Sequence, residues 1–382
     1  MAFLFTEGRP ESASEKLWRT PWLVLAAAAL LAAAGTAALY SIAGGSYEPW
    51  AERHALRFLA TAAAVLCMAV VPLRVWIKLA YPAYVVALVM LVAVPFVGVD
   101  ALGARRWLSL AGTTFQPSEL MKVVLVPALA RYYQWLPPDR VSKPQWVAAP
   151  IAMILVPVLF TLRQPDLGSA GLFLVLGLSL MFLAGVSLLY FAAGAAVAGV
   201  ASPVILANLH DYQRRRLATF LDPEADPLGA GYHILQSKIA LGSGGISGKG
   251  FMLGTQSHLN FLPEKHTDFM FTMIGEEWGF VGSIGLLTIY AVLLALLVRM
   301  SLKAESPFGR LVIAGSLITI FLYVFINVAM VTGLVPVVGV PLPLVSYGGT
   351  AMVGIMTGLG LAVSAHVHGR EQVRRSEIGS LF

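Results

Sequence analysis

Charge is scarce in this chain: Asp, Glu, Lys and Arg make up 12% of 382 residues, against 58% hydrophobic ones. No soluble fold needs that excess of apolar surface, so a polytopic membrane protein is expected. Cysteine is nearly absent too, and its single copy, Cys67 in the second apolar run, excludes an intrachain disulfide and a cysteine-based metal site. The alternating pattern of a membrane barrel is lacking, because the apolar runs are long and continuous. No clear small-residue cleavage site follows the first run, so a retained first helix is expected rather than a secretory signal. A nucleotide-binding loop is missing as well. The stretch Gly242–Gly250 suggests one, but Ser243 and Gly250 stand where glycine and a hydroxyl residue are required, and no strand precedes it. A flexible glycine loop able to approach a membrane-bound substrate is expected there instead.

What is present is a series of apolar runs near 22–42, 55–72, 75–97, 117–134, 147–162, 168–184, 187–207, 271–298, 310–333 and 347–366. A span needs roughly 20 apolar residues. The expected architecture is an all-α integral membrane bundle of about ten transmembrane helices, forming a single domain over residues 1–382. Fourteen Lys and Arg, from Arg9 to Arg375, then fall on the side of the termini, while the short loops opposite hold only Arg53, Arg57, Arg105, Arg106 and Arg163. The positive-inside rule makes residues 1–21 and the tail 367–382 cytoplasmic and the large loop 208–270, between helices 7 and 8, extracytoplasmic. The net charge of +6 follows mostly from this bias and calls for no nucleic acid. Within the loop, Ile234, Leu235, Ile239 and Leu241 suit a short amphipathic helix on the membrane surface.

Against this apolar background the polar clusters stand out, since ionisable groups near hydrocarbon are costly and mark functional sites. Asn260–Phe269 contains Glu264, His266 and Asp268, which would point one way if extended, as metal ligands do. Gln116–Lys122 opens the fourth run with Glu119 and Lys122 three apart on one face, suited to an ion pair, a helix cap or substrate handling. Gly103–Trp107 offers Arg106 either as an interfacial anchor or as a bidentate grip on a diphosphate. Arg163–Gly168 offers Asp166 either as a helix cap or as a member of a cluster with Arg106, Glu119, Lys122 and Asp268. Asp268 could act as a general base, as the cap of the eighth span, or as both. The broken stretch from Pro336 to Thr350, with Ser346, is expected to wall the same cavity.

Together these blocks resemble the bacterial SEDS (shape, elongation, division and sporulation) family from about residue 20 to 366. The resemblance rests on Gly103–Trp107, Gln116–Lys122, Gln164–Gly168, Arg216–Asp222, Gly231–Phe251, Gly254–Phe271 and Gly333–Thr350. The wording Gln236-Ser237-Lys238-Ile239-Ala240 and Gly254-Thr255-Gln256-Ser257 is similar to the elongation branch of the family, not the division branch. Thr114 departs from the pattern, because the family often carries a basic side chain there, and a contact through it is left open. The resemblance implies a peptidoglycan glycosyltransferase of the bacterial cytoplasmic (inner) membrane. It would polymerise lipid II, release undecaprenyl diphosphate, work with a class B penicillin-binding transpeptidase in the elongation complex, and use a divalent cation, Mg2+ or Mn2+. Asp268 matches the family's essential loop aspartate. Arg106, Gln116, Glu119, Lys122, Asp166, Lys238, Glu264 and Ser346 are the candidate substrate-binding residues. The competing function is transport, a lipid II flippase, which the lack of an evident inverted repeat disfavours; a scaffold for the transpeptidase is the third.

Overall fold

The computed structural model describes residues 12–101, 104–110, 113–207, 211–222, 230–258, 262 and 264–369. A short helix α1 (Ala13–Trp18) precedes α2 (Trp22–Ile42), α3 (Ala51–Val70) and α4 (Leu73–Val97). Three strands follow, β1 (Val99–Ala101), β2 (Ala104–Leu110) and β3 (Thr113–Phe115), and then α5 (Pro117–Trp135), α6 (Pro144–Arg163), α7 (Leu167–Leu183) and α8 (Leu188–Ala207). The large loop holds α9 (Asp211–Leu221), α10 (Ala230–Ser243) and α11 (Thr255–His258), and the chain ends with α12 (Met270–Lys303), α13 (Pro307–Val331) and α14 (Gly349–Val367).

Every expected apolar run is helical, because a backbone in hydrocarbon must satisfy its own hydrogen bonds. Seven helices are long and apolar enough to cross a membrane alone: α2, α3, α4, α6, α12, α13 and α14. Helix α7 and the apolar part of α8 are shorter, and α5 carries Glu119, Lys122 and Arg131 along its 19 residues. The core forms where α13 packs on α5, α12 and α14, with α3 against α14 and α4 against α5. These contacts surround α5 with apolar helices, which is how three charged residues are accommodated at membrane depth.

Two features differ from the expectation. Residues 99–101, 104–110 and 113–115 form an antiparallel meander, β1-β2-β3, pairing Asp100 with Arg105 and Leu108 with Phe115. The segment is too short to span, so strand pairing satisfies its backbone at the bundle's edge. Second, the described parts of the large loop are structured and docked. Helix α10 packs on α12 with Ile234, Ser237 and Ala240 buried; the Ser237 hydroxyl donates to the Val331 carbonyl at 2.8 Å and lies 2.7 Å from the Thr272 hydroxyl. Ile239, expected on an apolar face, is 53% exposed.

The glycine stretch after α10 is likewise no free loop. Lys249 and Gly250 amides donate to the Glu276 and Glu277 carbonyls, and the amides of Phe280 and Val281 donate back to Gly245 and Ile246, all at 2.9–3.1 Å. Helix α12 breaks at Gly279 (φ 68°) to admit it. A Cβ on Gly248 would lie 2.1 Å from the Glu277 carbonyl oxygen, so glycine there serves close backbone approach. The Glu276 side chain completes the joint, accepting from Lys249 Nζ at 2.6 Å and from the Thr255 and Gln256 amides at 2.9 and 3.0 Å. This joint fixes the chain just before the segment that carries Asp268. Gly103, Pro223–Pro227, Asn260, Phe261, Pro263 and the tail beyond 369 lie outside the described residues.

Candidate active site

Residues 264–269 form a tight turn, with the amides of Thr267, Asp268 and Phe269 all directed at the Glu264 carbonyl (3.2–3.3 Å). Its cause is local: Leu262, fully buried, and Phe269 and Phe271, nearly so, anchor both ends in the core. The turn overturns the extended arrangement that would align Glu264, His266 and Asp268. His266 instead stacks on Trp50, ring centroids 4.8 Å apart. Among the described residues no group of three or more His, Cys, Asp or Glu is placed to hold a metal ion. Nor does Asp268 cap α12, whose N-cap is Phe269 and makes no side-chain cap bond.

Asp268 faces a cavity of about 760 Å³. Burial, and then the negative charge of Glu264, push its carboxyl up from 3.8 to about 7, with Arg216 opposing. Its main-chain carbonyl accepts from Asn327 Nδ2 at 2.8 Å.

On α5, Lys122 Nζ meets Glu119 Oε1 at 2.6 Å, and the Tyr323 hydroxyl of α13 donates to Glu119 Oε2 at 2.6 Å. The ammonium also lies 4.8 Å from the Tyr323 ring centroid. Lys122 is 3% exposed, so partners on both sides are what keep a charged amine tolerable there. At the start of α7, Asp166 accepts from the Ser169 amide at 3.1 Å and from Gln116 Nε2 at 3.2 Å, so it caps the helix and joins α5 to α7. From β2, Arg106 Nε donates to the Gln164 carbonyl at 3.1 Å and Nη2 to that of Pro165.

The cavity brings together Arg106, Gln116, Glu119, Lys122, Asp166, Glu264 and Asp268, seven of the nine residues singled out from the sequence. It does not include Lys238, whose exposed chain on α10 runs beside Gly333, or Ser346, whose Oγ accepts from the Leu342 amide at 2.9 Å. The Pro/Gly stretch does wall it, through Val338–Pro341 and Tyr347–Ala351. Thr114, where a basic residue was looked for, lines it too.

Three further lining residues, outside those nine, make contacts at the site. Arg57 on α3 sits 5.0 Å from the Tyr347 ring centroid, and Arg216 on α9 donates to the Val337 carbonyl at 3.1 Å. Tyr323 is the third. Arg57 had a usable signal, an arginine at the start of an apolar run, whereas a tyrosine in the middle of α13 had none. Four basic side chains (Arg57, Arg106, Lys122, Arg216) thus face four acidic ones (Glu119, Asp166, Glu264, Asp268). One carboxylate poised near neutrality beside guanidinium and ammonium groups can deprotonate a hydroxyl while a departing anion is neutralised.

The family model of FtsW/RodA/SpoVE cell cycle proteins matches residues 18–371. The peptidoglycan glycosyltransferase MrdB of Escherichia coli K12 is 45% identical over 309 residues, 80% of this chain and 82% of its own. A probable peptidoglycan glycosyltransferase FtsW of Geobacter sp. strain M18 is 38% identical, over 78% and 81%. Among solved structures, a chain from a study of polymerization and crosslinking by a peptidoglycan synthase complex matches with a TM-score of 0.80 at 31% identity, covering 92% of this chain and 99% of that one. The crystal structure of the rod shape determining protein RodA of Thermus thermophilus matches with a TM-score of 0.68 at 27% identity, covering 93% and 98%. With a family model spanning nearly all of it and relatives this similar, the chain belongs to the FtsW/RodA/SpoVE family of cell cycle proteins.

Proposed function

We propose that this chain is a peptidoglycan glycosyltransferase of the inner membrane that polymerises lipid II into β-1,4 glycan strands, working with a class B penicillin-binding transpeptidase. The observation that carries the mechanism is the placement of Asp268, its carboxyl raised to about 7, in one cavity with Arg57, Arg106, Lys122 and Arg216. The relatives named glycosyltransferases and the match to a synthase complex support the activity and the partner.

Asp268 removes the proton from the 4-hydroxyl of an acceptor N-acetylglucosamine as its oxygen bonds to the anomeric carbon of a donor N-acetylmuramic acid. The bond from that carbon to the diphosphate breaks, and an α-linked donor becomes a β-linked product in one inverting step. Charge grows on the departing undecaprenyl diphosphate and is met by Arg106 and Lys122, with Arg216 nearby. Glu119 and Tyr323 orient Lys122, and Gln116 and Asp166 hold the α5–α7 junction on which Arg106 rests. Ten crossings with both termini cytoplasmic and the cavity at the outer face belong to the same proposal; the Lys and Arg bias supports them.

The residues present do not make a resident site for Mg2+ or Mn2+. Both oxygens of Glu119 and both of Asp166 are engaged, which leaves Glu264 and Asp268 on a single turn. Magnesium usually binds through one or two carboxylates together with substrate phosphates, so a divalent cation is proposed only as a companion of the lipid diphosphate, adding positive charge at the leaving oxygens.

The test is polymer formation by the purified complex with lipid II, for wild type and Asp268→Asn, each with and without a chelator. Polymer from wild type alone, abolished by chelation, is expected. Equal polymer from both proteins would remove Asp268 as the base, and none from either would favour transport or scaffolding.

A further inference from the structure

Asn327 lies within α13, fully buried. A primary amide at membrane depth is costly unless its hydrogen bonds are made. Both of its N–H bonds are made, and neither serves its own helix: Nδ2 donates to the main-chain carbonyl of Asp268 at 2.8 Å and to that of Val340 at 2.7 Å. Turning the amide over would set its oxygen against two carbonyl oxygens, so the orientation is fixed. Oδ1 finds no donor among the described residues. A residue kept for packing alone would do better as leucine.

The two carbonyls belong to the two segments that frame the base. Asp268 stands near the end of the turn from Glu264, and Val340 follows Gly339, where a Cβ would lie 3.3 Å from Asp268 Oδ2. One turn earlier on α13, Tyr323 donates to Glu119. Four residues of helix rise about 6 Å, so a single rigid interval of α13 carries the contact that orients the Glu119–Lys122 pair and the one that orients the base.

Resting on the glycosyltransferase reading above, we propose that Asn327 is a positioning residue for glycosyl transfer: its amide staples the Asp268 turn to the Gly339–Val340 segment and sets the base at a fixed distance from the Glu119–Lys122 pair. It acts through the Asp268 main chain and does not touch substrate.

The experiment uses the chain in complex with its transpeptidase partner, varying lipid II concentration and pH for wild type, Asp268→Asn, Asn327→Leu and Asn327→Ser. Leucine removes both donors at similar size; serine keeps one. Misplacement by about an ångström can cost about 100-fold in rate, so kcat is expected to fall about 10- to 100-fold in N327L and less in N327S, with KM within about twofold. The charged and titratable groups that share the cavity with Asp268 are Glu264 and His266 on its own turn, Arg216 from α9, Arg57 from α3, Arg106 from β2, Glu119 and Lys122 from α5, Asp166 before α7, Tyr323 from α13, and Tyr347 before α14. The acid limb of the pH profile is expected at lower pH in N327L, because the carboxylate leaves Gly339 and gains water. Partial unfolding would lower the amplitude and leave that limb in place. Should N327L fail to fold, N327S carries the same test. Wild-type kcat in the folded variants, or a loss with an unmoved limb, overturns the proposal. Equal polymer from wild type and D268N overturns the underlying assignment of the base, and the staple with it.

Discussion

If Asp268 is the base, the rate must titrate near neutrality, because of burial first and the charge of Glu264 second. Raising the carboxyl from 3.8 to about 7 makes ionisation in place harder than in water by on the order of 4 kcal/mol. The active form is the carboxylate, so kcat/KM rises with pH through about 7. At pH 6 about a tenth of the enzyme is ionised and at pH 7 about half, which predicts roughly a fivefold gain between them. An unperturbed aspartate, titrating near ~3.9, would give a flat profile over that interval. Glu264 shares the turn and its negative charge is the second cause of the shift, after burial. Glu264→Gln is therefore expected to move the limb to lower pH, though not down to the ordinary carboxylate range, and Arg216→Gln to move it up. The assay is the initial rate of glycan polymer at subsaturating lipid II between about pH 5.5 and 8.5. A limb that stays in place in both variants would refute Asp268 as the titrating group.

Two further expectations concern the frame of the site. Lys122→Met leaves Glu119 without its cation, which should cost about 3–5 kcal/mol of stability along with activity; adding Glu119→Gln should recover melting temperature but not polymer, and equal melting of the single and double variants would argue against a buried pair. Gly248→Ala places a methyl 2.1 Å from the Glu277 carbonyl oxygen at φ 80°, so at least about 2 kcal/mol is expected to be lost. Gly194→Ala on α8 meets nothing within 4 Å and should leave the melting temperature the same or slightly higher, alanine being the better helix former.

The helices were legible because hydrocarbon permits a single solution for a long apolar run. Asp268, Glu119 and Lys122 were legible because ionisable side chains there are too costly to be incidental. The same signal went unused at Arg57, which was counted as a loop charge. Tyr323 and Asn327 carry no charge, and their importance lies in partners distant in sequence. Lys238 and Ser346 were singled out by the blocks they lie in, yet neither lines the cavity. The glycine loop misled for a physical reason: glycine permits flexibility and also permits backbones to touch, and only the partner, here the break in α12, decides which applies.

The matched charges of the cavity bear on how the enzyme lets go. Each bond formed leaves behind a diphosphate that strong uncompensated positive charge would retain. Here every cation already has somewhere to return: Lys122 to Glu119, Arg106 to the carbonyls of Gln164 and Pro165, Arg216 to that of Val337, and Arg57 to the Tyr347 ring. A lipid diphosphate entering the site competes with these internal partners, and they reclaim the cations as it departs. The pocket is thus poised for turnover rather than storage, and its grip on product is set as much by Glu119 as by Lys122.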